Sequence, residues 1–317
     1  MESDAFKKLL TFHGDHAKAI GLIIVNYLLT LITLGIYYPW AKASYLRYVY
    51  GESEYIDTRF VFHGTGKEMF IGFLKAIGIL VIVLGVFFGC MVSQQIALMI
   101  FGVLFYIVSL MLLVPVAIHG SNKYRLSRTS WRGIHFGYRG NLKEFIVVFL
   151  TQGLLTVVTF GVYGSWMHCE LRKYIMAHTR FGNVEFKFNG RGVDLFLIKL
   201  KGVLLSIITL GIYSFWYMKN RVAFEVDNTK VIQGSKEISI RSTLTAGQIF
   251  SMFFVNYLII VFTLGIGFGI ALNRFMRTVY SNIEFDEAID TANLFQTEDE
   301  YKDASGDDLA SMLDISI

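Results

Sequence analysis

At 317 residues, 54% hydrophobic and only 17% charged, with a mean hydropathy of +0.51, the chain is too apolar and too sparsely charged for a water-soluble globular protein of its length. The formal charge of +4 hides a lopsided distribution, with cations gathered after apolar segments and eleven acids against Lys302 alone between Glu284 and Asp314. Cys90 and Cys169 lie far apart without CxxC spacing, so neither a disulfide framework nor a zinc site is implied.

In chain order, the opening stretch from Met1 to His16 carries charges and histidines where a secretory signal needs an apolar core, so the first apolar segment is expected to serve as an uncleaved anchor. Six apolar segments of membrane-crossing length follow, at 17–38, 68–89, 96–118, 142–166, 193–216 and 246–270. They fall into a register. Gly14, Gly64, Gly140 and Gly190 each close a short alternating stretch (TFHG, FVFHG, HFGYRG, FKFNG), and Ser242 closes a fifth, ISIRS. A second glycine follows each marker glycine at one constant interval, as Gly35, Gly85, Gly161 and Gly211, and Gly265 follows Ser242 two positions later than that interval.

The expected fold is therefore a mainly α-helical membrane protein of about six transmembrane helices in five tandem repeats, with units at roughly 1–53, 54–129, 130–179, 180–229 and 230–285. Each unit reads as a strand, a spanning helix, a Thr-x-Gly break and a short interfacial helix. The second unit fits once a stretch long enough for a helix is removed, an insertion that reads as one extra membrane helix. Pro39 and Pro115 share a register position suited to the first turn of a helix. Short alternating runs around two-residue connectors predict β-hairpins at the membrane surface between helices. The segment 286–317 reads as an acidic, disordered tail.

The phrase TLGIYYPW, the basic-aromatic pair Arg47-Tyr48 and the FxFxG strand resemble the bacterial YjgN-like inner-membrane proteins, a family of unknown function, over nearly the whole chain up to Phe285. The resemblance implies a multi-pass protein of the bacterial inner membrane and brings no catalytic residues with it. Two topologies fit the segments. Single spanning places basic loops on both faces, with a thin positive-inside margin, while a re-entrant topology folds each segment back at Thr-Leu-Gly. Single spanning is preferred, because re-entry places Lys42, Arg47, Arg172 and Lys173 at membrane depth.

Polar residues recur at three fixed register positions beyond the markers, spaced by four and then three so that they share one helix face: Asn26, Thr30 and Thr33; Gln152, Thr156 and Thr159; Gly202, Ser206 and Thr209; and, in part, Asn256 and Thr263. Such ribbons either bond helix to helix or converge on a solute path. Trp40, Trp166 and Trp216, all at the same position past the break glycine, read as interfacial anchors. Arg47, Lys123, Arg125, Arg128, Arg132, Arg139 and Lys173 suit anionic lipid headgroups.

His168 and Cys169 are neighbours without a third partner in sequence reach, and no GxSxG, HExxH or P-loop pattern occurs. No catalytic residue, metal or cofactor is expected. The leading expectation is a transporter or channel-like passage for a small polar or amphipathic solute. The alternative is a non-catalytic scaffold binding lipid headgroups or partner proteins through basic loops and β-hairpins. Membrane lipids are the expected partners, a second copy or another membrane protein stays open, and nucleic acid suits these anchored basic residues poorly.

Overall fold

The computed structural model describes residues 6–297. Its elements run β1 (Leu10–Phe12), α1 (His16–Ile32), α2 (Tyr38–Glu52), β2 (Ser53–Tyr55), β3 (Thr58–Phe62), α3 (Gly66–Val92), α4 (Ile96–Ser127), β4 (Thr129–Trp131) and β5 (Ile134–Tyr138). They continue with α5 (Leu142–Val158), α6 (Gly164–Ala177), β6 (Thr179–Phe181), β7 (Val184–Phe188), α7 (Gly192–Ile208), α8 (Ser214–Asp227), β8 (Thr229–Gln233), β9 (Lys236–Ser242), α9 (Ala246–Phe262), α10 (Phe268–Tyr280) and β10 (Ile283–Phe285).

The strands form one ten-stranded sheet in sequential order, each antiparallel to its neighbour. Lys7, just ahead of β1, exchanges main-chain bonds of 2.7 and 2.9 Å with Phe285 of β10, so the first edge meets the last and the sheet curls into a nearly closed ring. Two-residue turns make its hairpins. Ile56 and Asp57 join β2 to β3 and Arg132 and Gly133 join β4 to β5, all four with positive φ, as turns matched to strand twist require. Alternation turns Tyr55, Trp131, Phe181, Val184, Val231, Ile238 and Phe285 into one shared cluster. Side chains from strands all around the ring thus meet at its centre.

Helices come in pairs between the strands. In α1, Asp15 caps the start by accepting from the Lys18 amide, and the end is a Schellman-type turn. Leu34 enters left-handed geometry (φ 50°), its amide donates to Leu31 O, and the Gly35 amide (φ 91°) reaches Thr30 O at 2.8 Å. The same turn occurs at Phe160-Gly161, Leu210-Gly211 and Leu264-Gly265. Each is followed by a second helix packed on the first, whose C-terminus runs directly into a strand.

These observations correct the expected six spanning helices in five strand-and-helix repeats. Four of the six apolar segments break within themselves, leaving first helices of 17 residues. Such a helix reaches ~25 Å at ~1.5 Å per residue, short of a ~30 Å hydrocarbon layer. Among the described residues two helices, Gly66–Val92 and Ile96–Ser127, are long and apolar enough to cross. Every helix pair leaves and rejoins the same sheet, so the strands are not hairpins on alternating faces, and the connectivity is that of the re-entrant alternative.

The insertion is corrected too. It adds no third helix but lengthens both arms of the α3/α4 pair, to 27 and 32 residues. Gly85 lies inside α3, the break falls at Ser93 to Gln95, and Pro115 lies inside α4 instead of starting a helix. In the fifth unit Thr245 caps α9 as Asp15 caps α1, so Leu244, not Ser242, is the equivalent marker, and from it Gly265 keeps the interval of the other units. Of the acidic segment, 286–297 crosses the ring as described below, and 298–317 lie outside the described residues.

Candidate functional site

The ring centre is packed and strapped. Trp131, 1% exposed, donates its indole N–H to Tyr55 O (3.1 Å) and Thr58 O (2.9 Å), with the Phe181 ring edge-on to it and the Tyr55 ring tilted against it. Residues 286–297 lie over the hairpin turns. The Tyr55 hydroxyl accepts from the Ile289 amide, Gln233 exchanges bonds with Asp290, Asn183 donates to Asn293 O, and Thr297 donates to Gly182 O. Burial raises the Tyr55 hydroxyl pKa, and the Ile289 bond offsets part of that rise. The Asn293 side chain, bonded to Asp290, holds that carboxyl below the usual range.

The polar ribbons are spent close to home. Thr33, Thr159, Thr209 and Thr263 each donate back to the carbonyl four residues earlier and accept an amide from across the break: Tyr37 N at 3.0 Å, Tyr163 N at 3.0 Å, Tyr213 N at 2.9 Å and Gly267 N at 2.7 Å. They clamp the turn between paired helices. Thr30 donates to Asn26 O, and Thr156 donates to Gln152 O and contacts Met167 Sδ. Asn256 ties α9 to α10, donating to Ala271 O (3.1 Å) and accepting from Arg274 (3.2 Å). The Gln152 Oε1 is buried without a partner. Ser206 lines a groove with Gly202, Val203, Ile207 and Tyr217. Among the described residues no hydrogen bond joins one ribbon to another.

The basic candidates do not gather into one patch. Arg128 is buried, lies over the Tyr124 ring and pairs with Glu68 at 3.0 Å. Arg132 lies over Trp131 at 4.7 Å and bonds Thr58 and Ile56, Arg139 reaches Thr297 O, and Lys173 pairs with Glu170. Lys123 is engaged as well. Arg47 and Arg125 stand exposed near the ends of α2 and α4. Of the tryptophans, Trp40 and Trp166 stack on Tyr37 and Tyr163 and pack onto the opening glycine of the next pair. A Cβ on Gly192 would lie 2.4 Å from Trp166 Cγ, so that approach requires glycine. Trp216, stacked on Tyr213, is half exposed.

One cluster was invisible in the sequence. The His168 ring nitrogen on α6 bonds the Glu225 carboxylate on α8, 57 residues away, and Arg172 approaches the same carboxylate at 3.3 Å. Arg221 and Lys199 lie within its electrostatic range. Cys169, fully buried among Phe188, Leu195 and Phe224, faces apolar side chains, so the His168-Cys169 adjacency makes no nucleophile-base pair. The signal available in sequence was a lone acid, Glu225, one helical turn beyond Arg221.

A family model described as bacterial protein of unknown function (DUF898) matches residues 7–189 and 183–236. Inner membrane protein YjgN of Salmonella typhimurium (strain LT2) is 28% identical over 173 residues, covering 51% of this chain and 42% of that protein. Inner membrane protein YjgN of Escherichia coli (strain K12) is 28% identical over 160 residues, covering 50% of this chain and 38% of that protein. The matched region thus spans about two fifths of these curated relatives. No solved structure matches.

Proposed function

Because the chain belongs to this bacterial family of unknown function and its relatives are inner-membrane proteins, we propose that it is a non-catalytic scaffold of the inner membrane. Its helix pairs seat it in the bilayer, and its strapped ring is the face it offers to partner proteins. The observation that carries this reading is the ring itself. Tyr55, Trp131, Phe181 and Phe285 fill its centre, and 286–297 cover its turns, so among the described residues its axis is packed with apolar side chains. The ribbons support the same reading, since Thr33, Thr159, Thr209 and Thr263 clamp the turns between paired helices and the Asn256 amide ties α9 to α10, as polar groups in membrane helix packing do.

Purified protein in liposomes of phosphatidylethanolamine and phosphatidylglycerol is expected to leave the permeability to ions, amino acids and sugars at the level of empty vesicles. A solute flux abolished by Asn26→Leu, Gln152→Leu and Asn256→Leu together, with folded protein retained in detergent, would overturn the scaffold and restore a transport path.

A further inference from the structure

In the α7/α8 pair a tyrosine ring stands where related pairs carry a polar ribbon side chain. At the first ribbon position of their units stand Asn26, Gln152 and Asn256, but in α7 the residue is Gly202. Gly202 lies directly on the Tyr217 ring, and with Val203, Ser206 and Ile207 these residues wall a groove of about 330 Å³. The groove is shallow and open along most of its surface. The wall is almost wholly apolar, and Val203 and Ile207 are more than half exposed along it. In a bilayer, hydrocarbon is what meets such a surface.

Two cations stand one turn beyond the groove wall. Lys199 precedes Val203 by four positions on α7 and Arg221 follows Tyr217 by four on α8, so helical spacing puts each on the side of its helix that carries a groove residue. Lys199 and Arg221 are in electrostatic range of one another and of Glu225, whose carboxylate His168 and Arg172 also engage. Glu170 is taken by Lys173. Arg172 contacts the Glu225 carboxylate at 3.3 Å, whereas Lys199 and Arg221 lie within its electrostatic range and make no ion pair with it, so cations outnumber carboxylates beside the apolar slot. Isolated cations among membrane helices are costly, and an anion supplied from outside the chain relieves that cost.

We propose that this groove binds one anionic phospholipid, with an acyl chain along Gly202, Val203, Ile207 and Tyr217 and the phosphate held by Lys199 and Arg221. The site needs only a protein seated in the bilayer and is independent of the scaffold reading.

The test uses full-length protein in nanodiscs of equal phosphatidylglycerol and phosphatidylethanolamine, extracted into mild detergent and weighed by native mass spectrometry, with photoactivatable phosphatidylglycerol as a second probe. Wild type is expected to retain phosphatidylglycerol in preference to phosphatidylethanolamine and to crosslink it within α7 and α8. Lys199→Gln with Arg221→Gln should lower retained phosphatidylglycerol at least fivefold, and Val203→Trp, which fills the groove, should lower both lipids. Lys67→Gln with Lys143→Gln, at the starts of α3 and α5, should change neither. Equal retention of the two lipids by wild type, crosslinks confined to other helices, or undiminished phosphatidylglycerol in the double variant would each overturn the site. The wild-type crosslink decides the matter if a variant fails to fold.

Discussion

Two glycines at the same place in the sequence register should respond to alanine with opposite sign. Gly161 and Gly85 stand at one and the same interval beyond their marker glycines, Gly140 and Gly64. Gly161 has φ 89° at the α5/α6 turn, while Gly85 lies in the continuous helix α3. Neither has any atom within 4 Å of an added Cβ, so packing drops out and only the backbone decides. At Gly161, alanine meets a conformation L-residues resist, at ~1–3 kcal/mol. At Gly85, alanine removes the glycine penalty of a helix interior, a gain of ~0.5–1 kcal/mol. The two variants should therefore separate by about 1.5–4 kcal/mol in equilibrium unfolding, followed by far-ultraviolet circular dichroism in mixed micelles of rising SDS content. If Gly85→Ala destabilises as much as Gly161→Ala, the break in the second unit lies at Gly85 and the lengthened α3/α4 pair is wrong.

Thr159→Val removes the acceptor of the Tyr163 amide and should cost ~1–3 kcal/mol by the same unfolding assay, with Thr159→Ser restoring most of it. For pH, burial holds His63 below its ordinary 6.5, and the neighbouring His135 and Arg128 act in the same direction. The native state then takes up this proton at lower pH than the unfolded chain, so the stability His63 leaves intact above pH 6.5 declines as pH falls through its folded value. Melting midpoints in detergent between about pH 5 and 8 should show that decline in wild type and a shallower one in His63→Gln.

The strand hairpins were legible because their turns are local: Arg132-Gly133 and the alternating runs beside it are enough to specify that pairing. Gly35, Gly161, Gly211 and Gly265 were legible as breaks by period, whereas Gly85, at the same period, lies within α3. What they terminate was not, because hydropathy counts apolar length and the break residues Leu34, Phe160, Leu210 and Leu264 are themselves apolar. Segment 17–38 therefore scores as one span although its helix ends at Ile32. The inserted residues misled for the same reason, since two longer arms and one added helix have equal hydropathy. Ring closure rests on Lys7 meeting Phe285, and the α6 to α8 cluster on Glu225 meeting His168, contacts between distant residues that no local pattern encodes. Of the site candidates, the ribbon residues were found by spacing. Their use as clamps depends on amides such as Tyr163 N that only the turn geometry brings near.

The tips of the short helix pairs carry an argument of their own about the medium around them. Leu34, Phe160, Leu210 and Leu264 are 93%, 98%, 94% and 92% exposed, and all four hold left-handed backbone angles. Glycine would remove the ~1–2 kcal/mol that such geometry costs a residue with a Cβ. In water a large apolar side chain at a fully exposed tip returns nothing for that strain. In hydrocarbon, transfer of a leucine or phenylalanine side chain is worth ~1.5–3 kcal/mol, enough to offset it. Flanking residues follow suit, with Ile32, Val158, Ile208 and Phe262 also largely exposed. Four strained, apolar tips are thus what hydrocarbon surroundings favour and water does not, on helices of 17 residues beside the longer arms of α3 and α4 at 27 and 32.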